Sequence, residues 1–275
     1  MTGLELRPLS LGEILDRTFT LYRRHFLLFM GISGIPLLLV LALRMVQILR
    51  EPLYPVPSYG FAVNWWLFLA TLLAGLIAYL LSQGGAVIAV SELYLGRPIT
   101  IGESLRRVWD DIGSMFGVVF LNGLVVGLGF LLLIIPGVYL ACRLLVCVPA
   151  ALIEKRGARE SLERSFGLTR DEAGRAFVIL LLSVVLSWAA QMLLSAPFGF
   201  LIALSRNDFS MLRMWTAASQ VGASLASVLV SPILLIATSV FYYDLRVRKE
   251  AFDLQILLNP DSQAAPQIGP PSILS

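Results

Sequence analysis

One arginine lies inside an otherwise apolar block, and it is the residue with the clearest chemical consequence. Arg143 interrupts the stretch 138–153. A guanidinium ion costs about 2.5–3.5 kcal/mol at the bilayer centre by insertion scales, so it requires a partner or access to the headgroups. In one interpretation the side chain extends outward to the headgroups, which its length allows. In the other it faces the bundle interior and binds an anionic group together with Gln220 and Ser224.

The remaining reactive residues do not form a catalytic or metal-binding pattern. The single histidine, His25, precedes the first apolar block, a position typical of an interfacial residue. Cys142 and Cys147 are five residues apart and point to different sides of a helix, which favours two buried thiols over a disulfide. The sequence has no G-x-S-x-G elbow, no Walker phosphate loop and no cluster with metal-ligand spacing. We therefore expect no enzyme and no bound metal or cofactor.

The composition is that of a membrane protein. Of the 275 residues, 57% are apolar and 14% are charged, whereas an ordinary soluble domain is about 45–50% apolar and 25% charged. The apolar residues occur in blocks long enough to cross a bilayer, which takes about 20 residues of helix. The net charge of only +3 does not indicate a nucleic-acid partner.

The blocks predict an all-α polytopic membrane bundle with six transmembrane helices. The expected spans are 26–43, 65–91, 115–135, 138–153, 176–204 and 217–241. The third and fourth are expected to be joined by a turn at Pro136 and Gly137. A kink or break is expected at Pro197, since prolines are tolerated in spanning helices when neighbours satisfy the freed carbonyls.

The distribution of basic residues predicts the orientation. Sixteen of the 21 Lys and Arg residues fall on the side of the N-terminus, four fall on the opposite side, and Arg143 lies within a span. Cytoplasmic loops carry the excess of basic residues. We therefore expect a multi-pass protein of the inner (plasma) membrane with both termini in the cytoplasm. Residues 1–25 are too charged for a cleavable secretion signal.

A short motif, E-x-L-x-R-x-aromatic, occurs three times. In the first two copies, Ser10 or Thr100 stands three residues before the glutamate, the spacing of a helix capping box. Glutamate and arginine are four residues apart in each copy, which predicts an ion pair along the helix. The pairs are Glu13 with Arg17, Glu103 with Arg107, and Glu160 with Arg164.

Each copy lies on an amphipathic segment that precedes a pair of spans. Such segments are typical of helices at the membrane–water boundary. We expect one transmembrane domain, 1–258, made of three repeats at about 8–95, 98–154 and 157–245. Residues 259–275, with four prolines and no periodicity, are expected to form a disordered tail.

Small residues recur every four positions in several spans, which predicts close helix packing. Examples are Gly123 and Gly127 in the third span and Ala74 and Ala78 in the second. Packing within the bundle is the preferred interpretation. Self-association into a homo-oligomer is the alternative, because the motif does not identify its partner.

Two stretches, 136–169 and 242–254, resemble a group of bacterial six-helix membrane proteins. These are often labelled as the glycerophosphoryl diester phosphodiesterase membrane domain, and the resemblance covers roughly 5–258. It implies a membrane module concerned with lipids or the envelope. In the labelled enzymes a separate soluble domain performs the hydrolysis, so we do not expect phosphodiesterase activity here.

Three functional hypotheses follow, of which an intramembrane enzyme is the least favoured because nucleophile–base pairs are scarce. The first is a non-enzymatic membrane protein that organises or accompanies other envelope components, with membrane lipids and a protein partner or a second copy around it. The second is a transporter or lipid-translocating protein with a polar site near Arg143. Acidic residues lie near the ends of the spans, as Glu92, Glu154 and Asp244 do, which does not favour an ion-coupled carrier.

Overall fold

The computed structural model describes residues 8–50, 65–205 and 208–250, and these form a helical bundle. The expected tail, 259–275, and the stretches 1–7 and 251–258 of the expected domain lie outside the described residues. The helices, in chain order, are α1 Leu11–Arg24, α2 Phe26–Arg50, α3 Trp65–Tyr94, α4 Ile101–Asp110, α5 Ile112–Leu132, α6 Ile134–Arg143, α7 Cys147–Glu154, α8 Ala158–Leu168, α9 Ala173–Leu204 and α10 Phe209–Glu250.

Six helical stretches in this part of the chain are long and apolar enough to cross a membrane. They are α2, α3, α5, α6 continued by α7, α9 and α10, so the predicted fold class of six spanning helices is confirmed. The amphipathic helices α1, α4 and α8 each precede two of them. Whether these three units are structurally equivalent repeats stays a prediction.

The sequence predicts one continuous helix for the fourth span, and this prediction is wrong. The span breaks at 144–146, between α6 and α7. Pro149 explains the break, because it has no N–H to donate and its ring clashes with the carbonyl four residues earlier. At the break, the Arg143 carbonyl accepts hydrogen bonds from the hydroxyls of Ser165 and Thr169, each at 2.8 Å. The Cys147 N–H then donates to the carbonyl of Leu144.

The predicted turn at Pro136 and Gly137 is also wrong in its position. A single extended residue, Leu133, joins α5 to α6, and both predicted turn residues lie in the first turn of α6. Proline is tolerated there because the first N–H groups of a helix have no intrahelical acceptor. Gly137 allows the hairpin to close, since a Cβ added there would lie 2.4 Å from the ring of Phe130. No break occurs at Pro197, because α9 continues through it.

The C-terminal half of α10 forms the centre of the bundle. Every residue from 235 to 247 is buried, and α10 packs against α1, α2, α3, α7, α8 and α9. We call this end of the molecule, which holds α1, α4, α8 and the last turns of α10, the charged end. A helix that is buried all round needs either apolar or fully paired polar side chains. The sequence of α10 provides both kinds.

The small residues that were predicted to pack closely do so in some helices and not in others. Ala74 and Ala78 pack against Val40 of α2, as expected. Gly222 lies so close to α9 that an added Cβ would be 2.2 Å from the Leu194 carbonyl oxygen. Added Cβ atoms at Gly123 and Gly127 of α5 would instead have no neighbour within 4 Å. The preferred interpretation of packing within the bundle is therefore wrong for these two glycines, because they lie on the outer face of α5.

Candidate functional site

The clearest polar site consists of two carboxylate clusters at the charged end. In the first, Asp244 of α10 is 2% exposed and receives three donors. Its carboxylate accepts from the Leu9 backbone N–H at 2.6 Å, from Arg175 Nη2 at 2.8 Å and from Arg248 Nε at 3.0 Å. Arg175 and Arg248 also donate to the Leu9 carbonyl. The cluster thus attaches the segment before α1 to α9 and α10.

The second cluster surrounds Glu154, the last residue of α7. One carboxylate oxygen accepts from the Tyr242 hydroxyl at 2.7 Å and from Arg164 Nε at 2.9 Å. The other accepts from Arg156 Nε at 2.6 Å. Arg164 continues to Glu250, which also pairs with Arg246 Nε at 3.1 Å. Glu154 therefore connects α7 to α8 and α10.

Burial and the neighbouring carboxylates shift the pKa of Arg164, on α8, in opposite directions. Burial disfavours the guanidinium ion, but the hydrogen bonds and charges of Glu154 and Glu250 outweigh it and raise the pKa of Arg164. Arg246, 2% exposed, lies over the Tyr242 ring with its guanidinium carbon 5.8 Å from the ring centre. These charges are compensated by one another, as buried charges must be. The arrangement can hold helices together, and its carboxylates already bind groups of the protein.

The expected ion pairs of the three motifs have separate outcomes. Glu103 and Arg107 are paired at 2.5 Å, and Arg107 also binds Glu92 at 2.7 Å. The interaction with Glu92 is the main cause that raises the pKa of Arg107. The pairing of Glu13 with Arg17 stays a prediction. The expected pair of Glu160 with Arg164 is wrong, because Arg164 binds the more enclosed carboxylates of Glu154 and Glu250.

Arg143 lies against the C-terminal end of α8. Its Nη2 donates to the Phe166 carbonyl at 2.6 Å and its Nη1 to the Arg170 carbonyl at 2.9 Å. The guanidinium carbon lies 5.4 Å from the centre of the Phe166 ring. Carbonyls at a helix C-terminus carry partial negative charge and favour a cation. Arg143 has no carboxylate within 4 Å in the described part of the chain.

Gln220 has a different arginine as its partner. Arg44 Nη1 of α2 donates to the Gln220 side-chain oxygen at 3.0 Å. The predicted set of Arg143, Gln220 and Ser224 is not connected by hydrogen bonds, because Arg143 is held by α8 and Gln220 by α2. Ser224 lies one helical turn after Gln220 on α10 and is half-buried.

Two glutamines in the spans form hydrogen bonds with neighbouring helices. Gln47 of α2 donates to Thr71 of α3 at 2.7 Å, and Gln191 of α9 donates to the Ser227 hydroxyl of α10 at 3.3 Å. Across the residues that the structure describes, no group of three or more His, Cys, Asp or Glu side chains could hold a metal ion.

Sequence reasoning missed the two carboxylate clusters as connected sites. The sequence marks Glu154 and Asp244 only as acidic residues near the ends of spans, and it does not indicate their partners. Arg175 lies 69 positions before Asp244, and no periodicity relates residues so far apart. The signal that could have indicated burial is the aromatic pair of Tyr242 and Tyr243 directly before charged residues.

A comparison with known proteins agrees that this is a membrane protein. The chain is 29% identical, over 136 residues, to a UPF0259 membrane protein of Sodalis glossinidius. The match covers 48% of this chain and 52% of the relative, so the chain spans about half the length of that protein. No protein-family model and no solved structure matches. The predicted link to the phosphodiesterase membrane domain stays a prediction. With six apolar helices, this likeness supports a bacterial integral membrane protein.

Proposed function

We propose that the protein is a non-enzymatic membrane module that organises or accompanies other components of the bacterial envelope. The observation that carries this proposal is the pairing at the charged end. A general base needs a free lone pair directed at a substrate. The carboxylates of Asp244 and Glu154 are instead bonded to arginines, a hydroxyl and a backbone N–H of the same chain. Such a network fixes the relative positions of helices, which suits a binding platform.

A protein partner would contact the charged end at its exposed side chains. Trp109 of α4 is 55% exposed, while its neighbour Val108 is fully buried against α3. Aromatic residues are enriched where proteins bind one another. The two adjacent positions therefore form a matched pair for crosslinking.

The test places a photoreactive phenylalanine derivative at Trp109, or at Val108 as the buried control, in the full-length protein in its native membrane. We expect one stoichiometric protein adduct at 109 and none at 108, measured by mass spectrometry after extraction with native lipid. Adducts with lipid only at 109 would contradict the role as a protein-organising module.

A lipid-translocating function is the second candidate, supported by an apolar cleft beside Arg143. The cleft lies between α6 and α9 and is lined by Tyr139 and Phe177, among others. Proteoliposomes with a fluorescent phosphatidylglycerol in the inner leaflet would test it. Protein-dependent appearance of the lipid in the outer leaflet would favour this candidate, and leaflet exchange at the rate of empty liposomes would exclude it.

A further inference from the structure

The cleft between α6 and α9 has the size and lining of a site for one lipid chain. It is an open groove with a volume of about 370 Å³, within the range of about 300–1,000 Å³ for small-molecule sites. Its lining is apolar except for the hydroxyl of Tyr139. The lining residues are Ile134, Ile135, Val138, Tyr139 and Cys142 of α6 with Ala173 and Phe177 of α9.

A cation lies next to this cleft. Arg143 follows the lining residue Cys142, and its guanidinium carbon is 5.8 Å from the centre of the Tyr139 ring. Of the five N–H donors of an arginine, two bind the carbonyls of Phe166 and Arg170. The bond from Nη1 is at the surface, and the Nε atom is enclosed without a protein acceptor. The helix carbonyls compensate only part of a unit charge.

Two further features favour an anion at the same end of the cleft. Helix α9 begins at the lining residue Ala173 and has no side-chain hydrogen bond at its N-cap, so its first N–H groups are open to an acceptor. Arg170 is exposed in the preceding turn. Of the nearby acids, Glu172 is paired with Arg175 at 3.0 Å, and Asp171, 3.6 Å from Lys249, is 80% exposed to solvent.

We propose that this cleft binds one anionic phospholipid of the surrounding bilayer. An acyl chain lies between α6 and α9, and the phosphate accepts hydrogen bonds from Arg143 and the first N–H groups of α9. The charge complementarity selects an anionic over a zwitterionic lipid, since arginine binds phosphate through several parallel donors. The site does not depend on the proposed organising function, because it requires neither a protein partner nor movement of lipid across the membrane.

The test measures lipid retained by the purified full-length protein after delipidation and incubation with equal amounts of phosphatidylglycerol and phosphatidylcholine. Native mass spectrometry counts the bound molecules of each. We expect a preference for phosphatidylglycerol of about tenfold. Arg143→Leu reduces the preference to less than about twofold, and Arg143→Lys keeps part of it. The control Arg159→Leu removes the same charge from an arginine that is 88% exposed on α8 and leaves the preference unchanged.

A second variant tests the apolar part of the site with the arginine intact. Ala173→Phe fills the cleft, so we expect bound lipid of both kinds to be lost while the melting temperature stays close to that of the wild type. This variant and Arg143→Lys decide the question if Arg143→Leu does not fold. The proposal is overturned if Arg143→Leu keeps the preference, or if Ala173→Phe retains the lipid. Neither result affects the crosslinking outcome at Trp109, so the two proposals fail separately.

Discussion

At the residue scale, Asp244 links the segment before α1 to α9 and α10, and no sequence motif predicted this link. A buried carboxylate loses several kcal/mol of hydration, and only good hydrogen bonds and opposite charges offset that loss. Asp244 has both: a backbone donor from Leu9 and guanidinium groups from Arg175 and Arg248. Removal of its charge would leave two arginines next to a buried amide.

We predict that Asp244→Asn lowers the free energy of unfolding by about 3–5 kcal/mol, the typical effect of breaking a buried ion pair. Asp171→Asn is the matched control, because Asp171 is 80% exposed and lies 3.6 Å from Lys249. It should change stability by less than about 0.5 kcal/mol. Denaturant titration of both variants in mixed micelles measures the difference, and equal stabilities would contradict a structural role for Asp244.

His25 gives a pH dependence whose sign can be derived. Burial, with a smaller contribution from Arg24, lowers the pKa of His25 below its usual 6.5. The folded protein therefore disfavours the imidazolium ion. Above about pH 6.5 the imidazole is neutral in both the folded and the unfolded chain, so the lowered pKa does not affect stability there. As the pH falls below 6.5, the unfolded chain takes up the proton first and stability declines.

His25→Gln should remove this part of the pH dependence. We expect the melting temperature of the wild type to fall more than that of the variant between pH 7.5 and pH 5. Parallel curves would show that protonation of His25 does not affect folding. His25 also donates its backbone N–H to the Leu21 carbonyl at the end of α1, and glutamine keeps that bond.

At the element scale, α9 and α10 approach each other closely at Gly222. A Cβ at this position would be 2.2 Å from the Leu194 carbonyl oxygen, and a backbone atom cannot rotate away as a side chain can. On α5, by contrast, Gly123 has no neighbour within 4 Å of an added Cβ. The same substitution should therefore have opposite effects in the two helices.

Gly222→Ala should destabilise the protein by about 1–3 kcal/mol, the usual effect of overpacking. Gly123→Ala should be neutral or stabilising by up to about 1 kcal/mol, because alanine favours the helix over glycine. Thermal unfolding of the two variants at equal detergent concentration provides the measurement. A loss of stability in Gly123→Ala would indicate that the outer face of α5 packs against another molecule.

The starts of α1 and α8 differ in their capping. In α1 the Ser10 N–H donates to the Glu13 carboxylate at 2.7 Å, and the Ser10 hydroxyl accepts from the Glu13 N–H. In α8 the capping position is Gly157, which has no side chain to accept a hydrogen bond. The two helices therefore depend differently on the glutamate at the third position.

Glu13→Ala should cost about 0.5–2 kcal/mol, as the loss of a capping residue does. Glu160→Ala should cost less than about 0.5 kcal/mol, because Glu160 is an exposed residue of a helix without a capping box. Denaturant unfolding of the two variants checks this order. Equal losses would show that the capping box is not the cause.

At the scale of the whole molecule, the basic residues predict that the charged end faces the cytoplasm. Single cysteines at Asp208, just before α10, and at Gly96, between α3 and α4, test this in a variant with Cys142 and Cys147 replaced by alanine. An impermeant thiol reagent applied to intact cells should label position 208 and not position 96. The opposite labelling would reverse the predicted topology.

The sequence by itself determined the class of the protein and the approximate position of its helices. Apolar length decides whether a helix can cross a bilayer, and this property is local. The capping box at Ser10 is also local, since its two hydrogen bonds join residues three positions apart. The break in the fourth span could also have been predicted from the sequence, because the effect of Pro149 on a helix is local.

Only the tertiary structure decided which polar groups meet. Arg164 could pair with Glu160 on its own helix, yet it binds Glu154 and Glu250. The sequence predicts Gln220 and Ser224 beside an interior Arg143, but the chain turns after Arg143 and places it on the carbonyls of Phe166 in α8 and of Arg170 just after it. Burial makes such choices, because an enclosed charge gains far more from a partner than an exposed one does. Burial depends on the packing of the whole chain.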